Sequence, residues 1–209
     1  MTRQFTGRDL VIATHNNGKL AEFRAMFDGV DLNVTSAADH GLPSPPETGT
    51  TFLENVRIKA LAAAQGANLP ALADDSGLCV DVLGGAPGVY SADWAGDERD
   101  FGLAMRKVHE AMAELIPQNE TWVTSNRRAH FVSVIMLAWP DGHTEWVEGL
   151  APGTIVWPPR GVGGHGFDPM FKPDEDERVY AEMSADEKNA ISHRARAFAA
   201  IRAKCFAGA

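Results

Sequence analysis

The chain alternates between short apolar runs and polar segments, which predicts mixed α/β structure. Residues 10–14 are a short apolar run typical of a strand buried on both faces. After a polar turn, Leu20, Phe23 and Phe27 recur at helical spacing, and Gly29 is a plausible stop. The start of the chain therefore predicts a strand, a tight turn and a helix.

The next segment predicts a second strand, a loop and a second helix. Residues 32–34 form the strand, and the three prolines within residues 36–49 exclude regular structure there. Thr51 and Glu54 have the spacing of a capping box. We expect this box to open a helix that Gly66 ends.

Longer elements follow in the second half of the chain. Residues 97–115 have helical periodicity, and residues 127–150 read as two long antiparallel strands joined at 140–142, a hairpin that could form a second lobe. A capping box at Ser184 and Glu187 predicts one continuous terminal helix. We find no internal repeat and interpret residues 1–209 as a single domain of mixed α/β class.

Composition narrows the classes of function. The fractions of 44 % hydrophobic and 22 % charged residues are ordinary for a soluble globular protein. A net charge of −9 argues against a nucleic-acid binder but allows a few cations to gather around a small phosphorylated ligand. Two cysteines form no disulfide framework, and the chain shows no signal peptide or membrane span, so we expect a cytoplasmic protein.

The turn "THNNGK" spans residues 14–19, between the first strand and the first helix. Backbone N–H groups and the positive end of a helix favour an anion at such a turn. It is not a Walker motif, because Leu20 stands where that motif needs Ser or Thr. The alternative interpretation is a plain Asn-Gly turn with a solvated lysine.

Asp74 and Asp75 are expected in an acidic turn at the end of a buried strand, where α/β sheets often hold ligands. Two adjacent carboxylates repel, and Mg²⁺ would relieve the repulsion by binding them together with substrate phosphates. Ordinary Asx hydrogen bonding in a turn is the alternative for this stretch.

Two later stretches are also candidates for chemistry. The glycine-dense residues 161–169 predict either backbone pressed against a ligand or a plain surface loop. In residues 187–198, Lys188, His193 and Arg194 are either part of a charged surface helix or a cationic wall for a triphosphate or a purine edge.

Taken together, these stretches resemble the inosine triphosphate pyrophosphatase-like family, which hydrolyses non-standard purine nucleoside triphosphates. The resemblance covers nearly the whole chain, through "ATHNNGKLAEF", "ETGTTFLENVRIKALAAA", "LADDSGLCVDVLGGAPGVYSA", "GVGGHGFDPMF" and "MSADEKNAISHRARA". It implies an elongated, two-lobed α/β fold with a mixed sheet, flanking helices and a central substrate cleft, normally as a homodimer. It also implies Mg²⁺-dependent conversion of ITP, dITP or XTP to the monophosphate and pyrophosphate, which cleanses the nucleotide pool.

The resemblance also implies roles for individual residues. Asp75 corresponds to the proton acceptor and a metal ligand, with Glu47 as a second metal ligand, Asp74 helping to position metal or water, and Lys59 contacting phosphate. The substrate-binding positions implied are Thr14, His15, Asn16, Asn17, Gly18, Lys19, Ser76, His165, Gly166, Phe167, Asp168, Lys188, His193 and Arg194.

The chain departs from the family pattern at two places. Pro46 stands where members often have the first of two acids, so either Glu47 serves alone or the metal relies on the aspartates. Residues 165–168 read His-Gly-Phe-Asp where the family commonly has Phe-Gly-Tyr-Asp. Base stacking would then come from an imidazole, and a tyrosine hydroxyl is missing.

Other functions remain as alternatives at this point. A related pyrophosphatase for modified pyrimidine or methylated nucleotides would share the phosphate site but not the base preference. A nucleotide sensor without turnover would bind the same ligand, although intact Asp74, Asp75, Lys19 and Lys59 weigh against it. A nucleic-acid-binding module is disfavoured by the net charge.

Overall fold

The computed structural model describes residues 2–15, 17–116 and 124–206. Five helices and six strands form the α/β structure of this part of the chain. The helices are α1 (Asn17–Met26), α2 (Phe52–Ala67), α3 (Phe101–Leu115), α4 (Ala185–Ile191) and α5 (His193–Cys205). The strands are β1 (Asp9–Ile12), β2 (Asn33–Ser36), β3 (Ala71–Val80), β4 (Arg128–Ala138), β5 (Thr144–Ile155) and β6 (Phe171–Pro173).

The strands form one mixed sheet in the order β2-β1-β3-β4-β5-β6. β1 pairs in parallel with β2 and β3, whereas β5 and β6 are antiparallel. The predicted mixed sheet with flanking helices is therefore confirmed. The two long strands around residues 140–142 are also confirmed as neighbours, joined through the hydrogen bond from Trp139 N–H to the His143 carbonyl.

The chain divides into two compact units. The first comprises residues 1–75, 133–149 and 197–209, and the second comprises residues 76–132 and 150–196. In the first, Phe23, Phe27 and Phe198 pack with buried residues of β1 and β3. In the second, Phe131, Phe171 and Tyr180 pack against apolar residues of α3. Each unit thus has a hydrophobic core of its own.

Both predicted capping boxes are present. Thr51 Oγ1 accepts from Glu54 N–H at 3.2 Å at the start of α2, and Ser184 Oγ accepts from Glu187 N–H at 3.3 Å at the start of α4. The predicted end of α2 is wrong, because the helix continues through Gly66 to Ala67, with Asn68 in the left-handed conformation as its cap. A Cβ at Gly66 would lie 2.7 Å from Leu42 Cδ2, so the glycine permits a close contact.

The predicted single terminal helix is also wrong. Ser192, with ψ of 156°, interrupts it between α4 and α5. The Ser192 N–H still bonds the Lys188 carbonyl, while its Oγ accepts from Ala195 N–H at 3.2 Å at the start of the next helix. One serine thus ends α4 and caps the start of α5. No helix among the described residues is long and apolar enough to cross a membrane.

Candidate functional site

The predicted anion-binding turn lies directly before a helix, as the sequence indicates. β1 ends at Ile12 and α1 begins at Asn17, so Gly18 and Lys19 belong to the first helical turn. An imidazole nitrogen of His15 lies 2.8 Å from the Leu42 carbonyl oxygen, which anchors this segment. The backbone N–H of Thr14 donates to the Ile12 carbonyl at 2.8 Å. Asn16 and the side chain of Asn17 lie outside the described residues.

The two aspartates lie inside β3, so the predicted acidic turn is wrong. β1 pairs with β3 only as far as Leu72, and both carboxylates follow just beyond the end of that pairing. Successive side chains of a strand point to opposite faces, which separates the two charges. Each carboxylate is bound to a lysine that balances its charge, and β3 can therefore continue through both aspartates.

Each aspartate has its own lysine within the first unit. Lys19 Nζ of α1 donates to Asp74 Oδ2 at 2.9 Å. Lys59 Nζ of α2 donates to Asp75 Oδ1 at 2.7 Å and to Glu47 Oε2 at 3.2 Å. The predicted residues Glu47, Lys59 and Asp75 are therefore brought together, and Lys19 is brought to Asp74.

The charges of this cluster shift the pKa of two groups. Burial raises the pKa of Asp75 to about 6, with the carboxylates of Glu47 and Asp74 adding to the shift and Lys59 opposing it. Burial disfavours the charged form of Lys59, but its contacts with Asp75 and Glu47 outweigh this and raise its pKa. Negative charge is in excess around Asp75, which favours an additional cation.

The donor set fits a hard divalent cation. Asp75 Oδ2 is buried and has no hydrogen-bond partner among the described residues, and the Glu47 side chain is 42 % exposed. Two carboxylates plus phosphate oxygens and water are a typical set of ligands for Mg²⁺. Among the described residues, no group of three or more His, Cys, Asp or Glu side chains is arranged to hold a metal. Asp75 and Glu47 are the carboxylates that would hold such a cation.

Asn55 fixes the loop that carries Glu47. Its Oδ1 accepts the Gly49 N–H at 2.7 Å, and its side chain is buried at the start of α2. A Cβ at Gly49 would lie 2.6 Å from that oxygen and 2.5 Å from Glu54 Cβ. The loop therefore reaches the helix closely only because residue 49 is a glycine.

Several of the predicted substrate-binding residues meet around Asp168 in the second unit. Its Oδ2 accepts from His165 N–H at 2.6 Å and from Lys188 Nζ at 2.5 Å. Lys188 Nζ also lies 5.5 Å from the centre of the Tyr180 ring. Asp168 is 1 % exposed. Its buried carboxylate therefore connects the glycine-rich loop to α4 through these two hydrogen bonds.

The two rings of that loop have different environments. The Phe167 ring is buried and meets Phe101 edge-on, with ring centres 5.6 Å apart. His165 is exposed, and Gly166 between them has φ of 65°, which favours glycine. Of the two rings, the exposed imidazole of His165 is the one that can contact a ligand.

The start of α5 supplies the remaining predicted residues. Arg194 Nη2 donates to Ser76 Oγ at 3.1 Å. The His193 ring is buried and stacks on Phe131, with centres 4.8 Å apart and planes 12° apart. The break at Ser192 places these two side chains at the first turn of a new helix, which the sequence did not predict.

The sequence reasoning missed two residues that support the site. Ser133 donates from Oγ to Asp74 Oδ1 at 2.6 Å, and Asn55 holds the Glu47 loop. The sequence contains an indication of each supporting role. Ser133 is a lone hydroxyl in the apolar run of β4, and Asn55 is an amide on the buried face of α2.

Known proteins resemble this chain over nearly its full length. The sequence model of the Ham1 family matches residues 10–204. A dITP/XTP pyrophosphatase of Rhodopseudomonas palustris is 50 % identical over 215 residues, covering 100 % of both chains. A dITP/XTP pyrophosphatase of Ruegeria pomeroyi is 51 % identical over 211 residues, again covering 100 % of both.

Solved structures resemble the fold as well. A HAM1 protein from Coxiella burnetii has a TM-score of 0.86 and 36 % identity, covering 94 % of this chain and 98 % of its own. The Ham1 protein of Staphylococcus aureus has a TM-score of 0.82 and 35 % identity, covering 93 % and 96 % respectively.

Proposed function

Because this chain belongs to the Ham1 family, we propose that it hydrolyses non-standard purine nucleoside triphosphates to the monophosphate and pyrophosphate. The substrates proposed are dITP, XTP and ITP, and the role is to cleanse the nucleotide pool. The observation that carries the proposal is the environment of Asp75. One oxygen of its carboxylate is held by Lys59, and the other is buried and has no hydrogen-bond partner within residues 2–15, 17–116 and 124–206.

The lysines and the helix start account for binding the phosphates. Lys19 and Lys59 each place an ammonium group beside a carboxylate, and the first turn of α1 adds backbone N–H groups. We propose that Asp75 and Glu47 hold Mg²⁺, which would neutralise charge on the phosphate oxygens. Most of the rate should come from such positioning and charge stabilisation, since phosphoryl transfer asks little covalent help of a protein.

Asp75 is the proposed proton acceptor. Burial raises its pKa to about 6 in the cation-free protein, and a bound cation would favour the ionised form that a general base needs. The carboxylate would orient a water molecule and take its proton as the water attacks the α-phosphorus, with pyrophosphate leaving.

Selection of the base is proposed to lie with His193 and Arg194. Hypoxanthine and xanthine carry an oxo acceptor at position 6, where adenine carries an amino donor. A donor from either side chain would form a hydrogen bond to the oxo group. With ATP, the same donor would face the amino group and would have no acceptor. An unmatched buried donor costs about 1–3 kcal/mol, or roughly tenfold to a hundredfold in discrimination per contact.

A substrate panel tests the proposed function. Pyrophosphate release is measured from dITP, XTP, ITP, ATP, GTP, dUTP and a methylated nucleotide, with Mg²⁺ and with chelator. We expect turnover of the first three, dependent on Mg²⁺, and at least tenfold lower kcat/KM for ATP. Preference for dUTP or the methylated nucleotide would instead support the related pyrophosphatase, and binding without turnover would support a sensor.

We further propose a cytoplasmic homodimer without nucleic-acid or membrane partners. Light scattering of the purified protein measures the oligomeric state. A monomeric mass at micromolar concentration would contradict the homodimer and leave the proposed reaction unaffected. Retardation of DNA at moderate salt would contradict the absence of a nucleic-acid partner.

A further inference from the structure

Ser133 is a polar side chain inside an otherwise apolar strand. The residues of β4 from Phe131 to Ala138 are all buried, and Ser133 itself is 0 % exposed. A buried hydroxyl is costly unless it forms a hydrogen bond. Here Oγ donates to Asp74 Oδ1 at 2.6 Å, and β3 and β4 are neighbours in the sheet. The hydroxyl is therefore used to hold a carboxylate.

The carboxylate held in this way holds a lysine in turn. Asp74 Oδ2 accepts from Lys19 Nζ at 2.9 Å, and the Asp74 side chain is 1 % exposed. A carboxylate bonded through both oxygens in a packed interior has few other rotamers available. Lys19 is 33 % exposed and has a flexible four-carbon stem, and the bond to Asp74 is one of the contacts that hold its ammonium group.

The neighbouring aspartate differs in the bonds of its two oxygens. Asp75 Oδ1 accepts from Lys59, whereas its Oδ2 is buried and has no hydrogen-bond partner in the part of the chain that the structure describes. Both oxygens of Asp74 accept protein hydrogen bonds from Ser133 and Lys19. The adjacent acids are thus arranged for different tasks, with one oxygen of Asp75 left for a ligand and both oxygens of Asp74 bonded to the protein.

We propose that Ser133 is a positioning residue that acts through Asp74 to hold Lys19 in place for the phosphates. The proposal rests on the proposed function, because it assigns Lys19 to the triphosphate of the substrate. It narrows the role of Asp74, which supports a phosphate-binding lysine rather than binding metal or water. The hydrogen-bonded series runs from the interior of β4, through β3, to the first turn of α1.

A double-mutant cycle tests the coupling between Ser133 and Lys19. Ser133→Ala should lower kcat/KM for dITP about tenfold, the factor expected when one buried hydrogen bond is lost. The loss should lie mainly in KM, since a lysine at a helix start binds phosphate in both ground and transition states. Added to Lys19→Met, the same change should cost less than about twofold, because the group it positions is already absent.

Matched variants separate positioning from a general structural effect. Ser133→Thr keeps the hydroxyl and should retain more activity than Ser133→Ala at temperatures where both are folded. Ser91→Ala removes another buried serine hydroxyl, one that donates to the Gly88 carbonyl at 2.7 Å. It should lower thermal stability while leaving the KM for dITP within about twofold. A tenfold loss on adding Ser133→Ala to Lys19→Met would overturn the proposal.

A second measurement does not depend on turnover. Side-chain NMR relaxation of labelled lysine reports the order of Lys19 in the parent and in Ser133→Ala without nucleotide. We expect an ordered ammonium in the parent and a mobile one in the variant, and equal order in both would also overturn the proposal. If the parent releases no pyrophosphate from any nucleotide, the proposed function fails, and the relaxation experiment still decides whether Ser133 positions Lys19.

Discussion

At the residue scale, function depends on which polar atoms are not already hydrogen-bonded within the protein and can bind a ligand. Asp74 and Asp75 are identical side chains in adjacent positions. Both oxygens of Asp74 are bonded to protein, whereas Asp75 has one buried oxygen to which no described residue donates a hydrogen bond. The sequence identified both residues as a pair. The family resemblance implied different roles for them, but the local pattern gave no structural reason, because the hydrogen bond that sets Asp74 apart comes from Ser133, 59 residues away in the chain.

Asp75→Asn tests the proposed base. The amide keeps the size of the side chain but cannot accept a proton, so kcat for dITP should fall by about 10²–10⁴-fold. KM should change far less, because Lys19 and Lys59 remain. Steady-state pyrophosphate release measures both constants, and thermal unfolding checks that the variant is folded.

Asp81→Asn is the matched control, because Asp81 lies one residue past the end of β3 with a 55 % exposed side chain. It should retain the activity of the parent. If Asp75→Asn turned over dITP at the parental rate, another group would have to be the proton acceptor.

At the element scale, local signals predicted the starts of helices better than their ends. Both capping boxes are where the sequence put them, since each requires only residues three positions apart. The predicted helix end at Gly66 and the predicted continuous helix through Ser192 are wrong because the roles of these two residues depend on their neighbours. The glycine makes room for Leu42 from a distant loop, and the serine breaks a helix that periodicity alone would continue.

Gly49→Ala tests whether the loop before α2 supports the site. A Cβ would lie within 2.6 Å of both Glu54 Cβ and Asn55 Oδ1, so the loop must shift. We expect a loss of roughly 1–3 kcal/mol in the free energy of unfolding, as for an overpacked interior. Activity should also fall, because Glu47 lies on the displaced loop. Urea denaturation and pyrophosphate release measure the two effects.

Gly7→Ala is the control for this prediction. Its added Cβ would lie 3.6 Å from Phe5 Cζ, an ordinary van der Waals distance. Stability and activity should remain close to those of the parent. Equal behaviour of the two alanine variants would show that the tight contact at Gly49 does not hold the loop.

At the scale of the whole molecule, contacts far apart in sequence build each unit. Glu145 of β5 is an example in the first unit. Its carboxylate accepts from Arg3 N–H at 3.0 Å and bonds Lys204 Nζ at 3.0 Å, while His143 lies 3.1 Å away. Phe5 and Phe206 stack nearby in the same core, with centres 5.0 Å apart. The first and last described segments are thereby joined to one strand.

Glu145→Gln should destabilise the protein in a pH-dependent way. Burial pushes its pKa up, but hydrogen bonds from Lys204, the Arg3 N–H and His143 outweigh this and lower the pKa to about 2. A lowered pKa means that the stabilisation is fully present above about pH 4.5, the ordinary value, and is lost as pH falls towards about 2. We expect a deficit of roughly 1–3 kcal/mol at pH 7 that shrinks below about pH 4.5.

Urea denaturation of parent and variant at pH 7, 5, 4 and 3 measures this difference. Glu148→Gln, on the exposed side of the same strand, is the control and should show little difference from the parent at any of these values. A deficit for Glu145→Gln that is the same at pH 7 and pH 3 would contradict the role assigned to the charge.

The sequence by itself determined the α/β class, the order of most elements, the family and the identity of the charged residues, because these depend on local patterns. Hydrophobic periodicity, capping boxes and the "THNNGK" and "ADDSG" stretches are all read within a few residues. Only the tertiary structure decided which carboxylate keeps an oxygen for a ligand, which serine positions the other carboxylate, and where the last helix breaks. Those outcomes depend on hydrogen bonds and packing between residues that are distant in sequence. No local sequence pattern shows which distant residues will become partners.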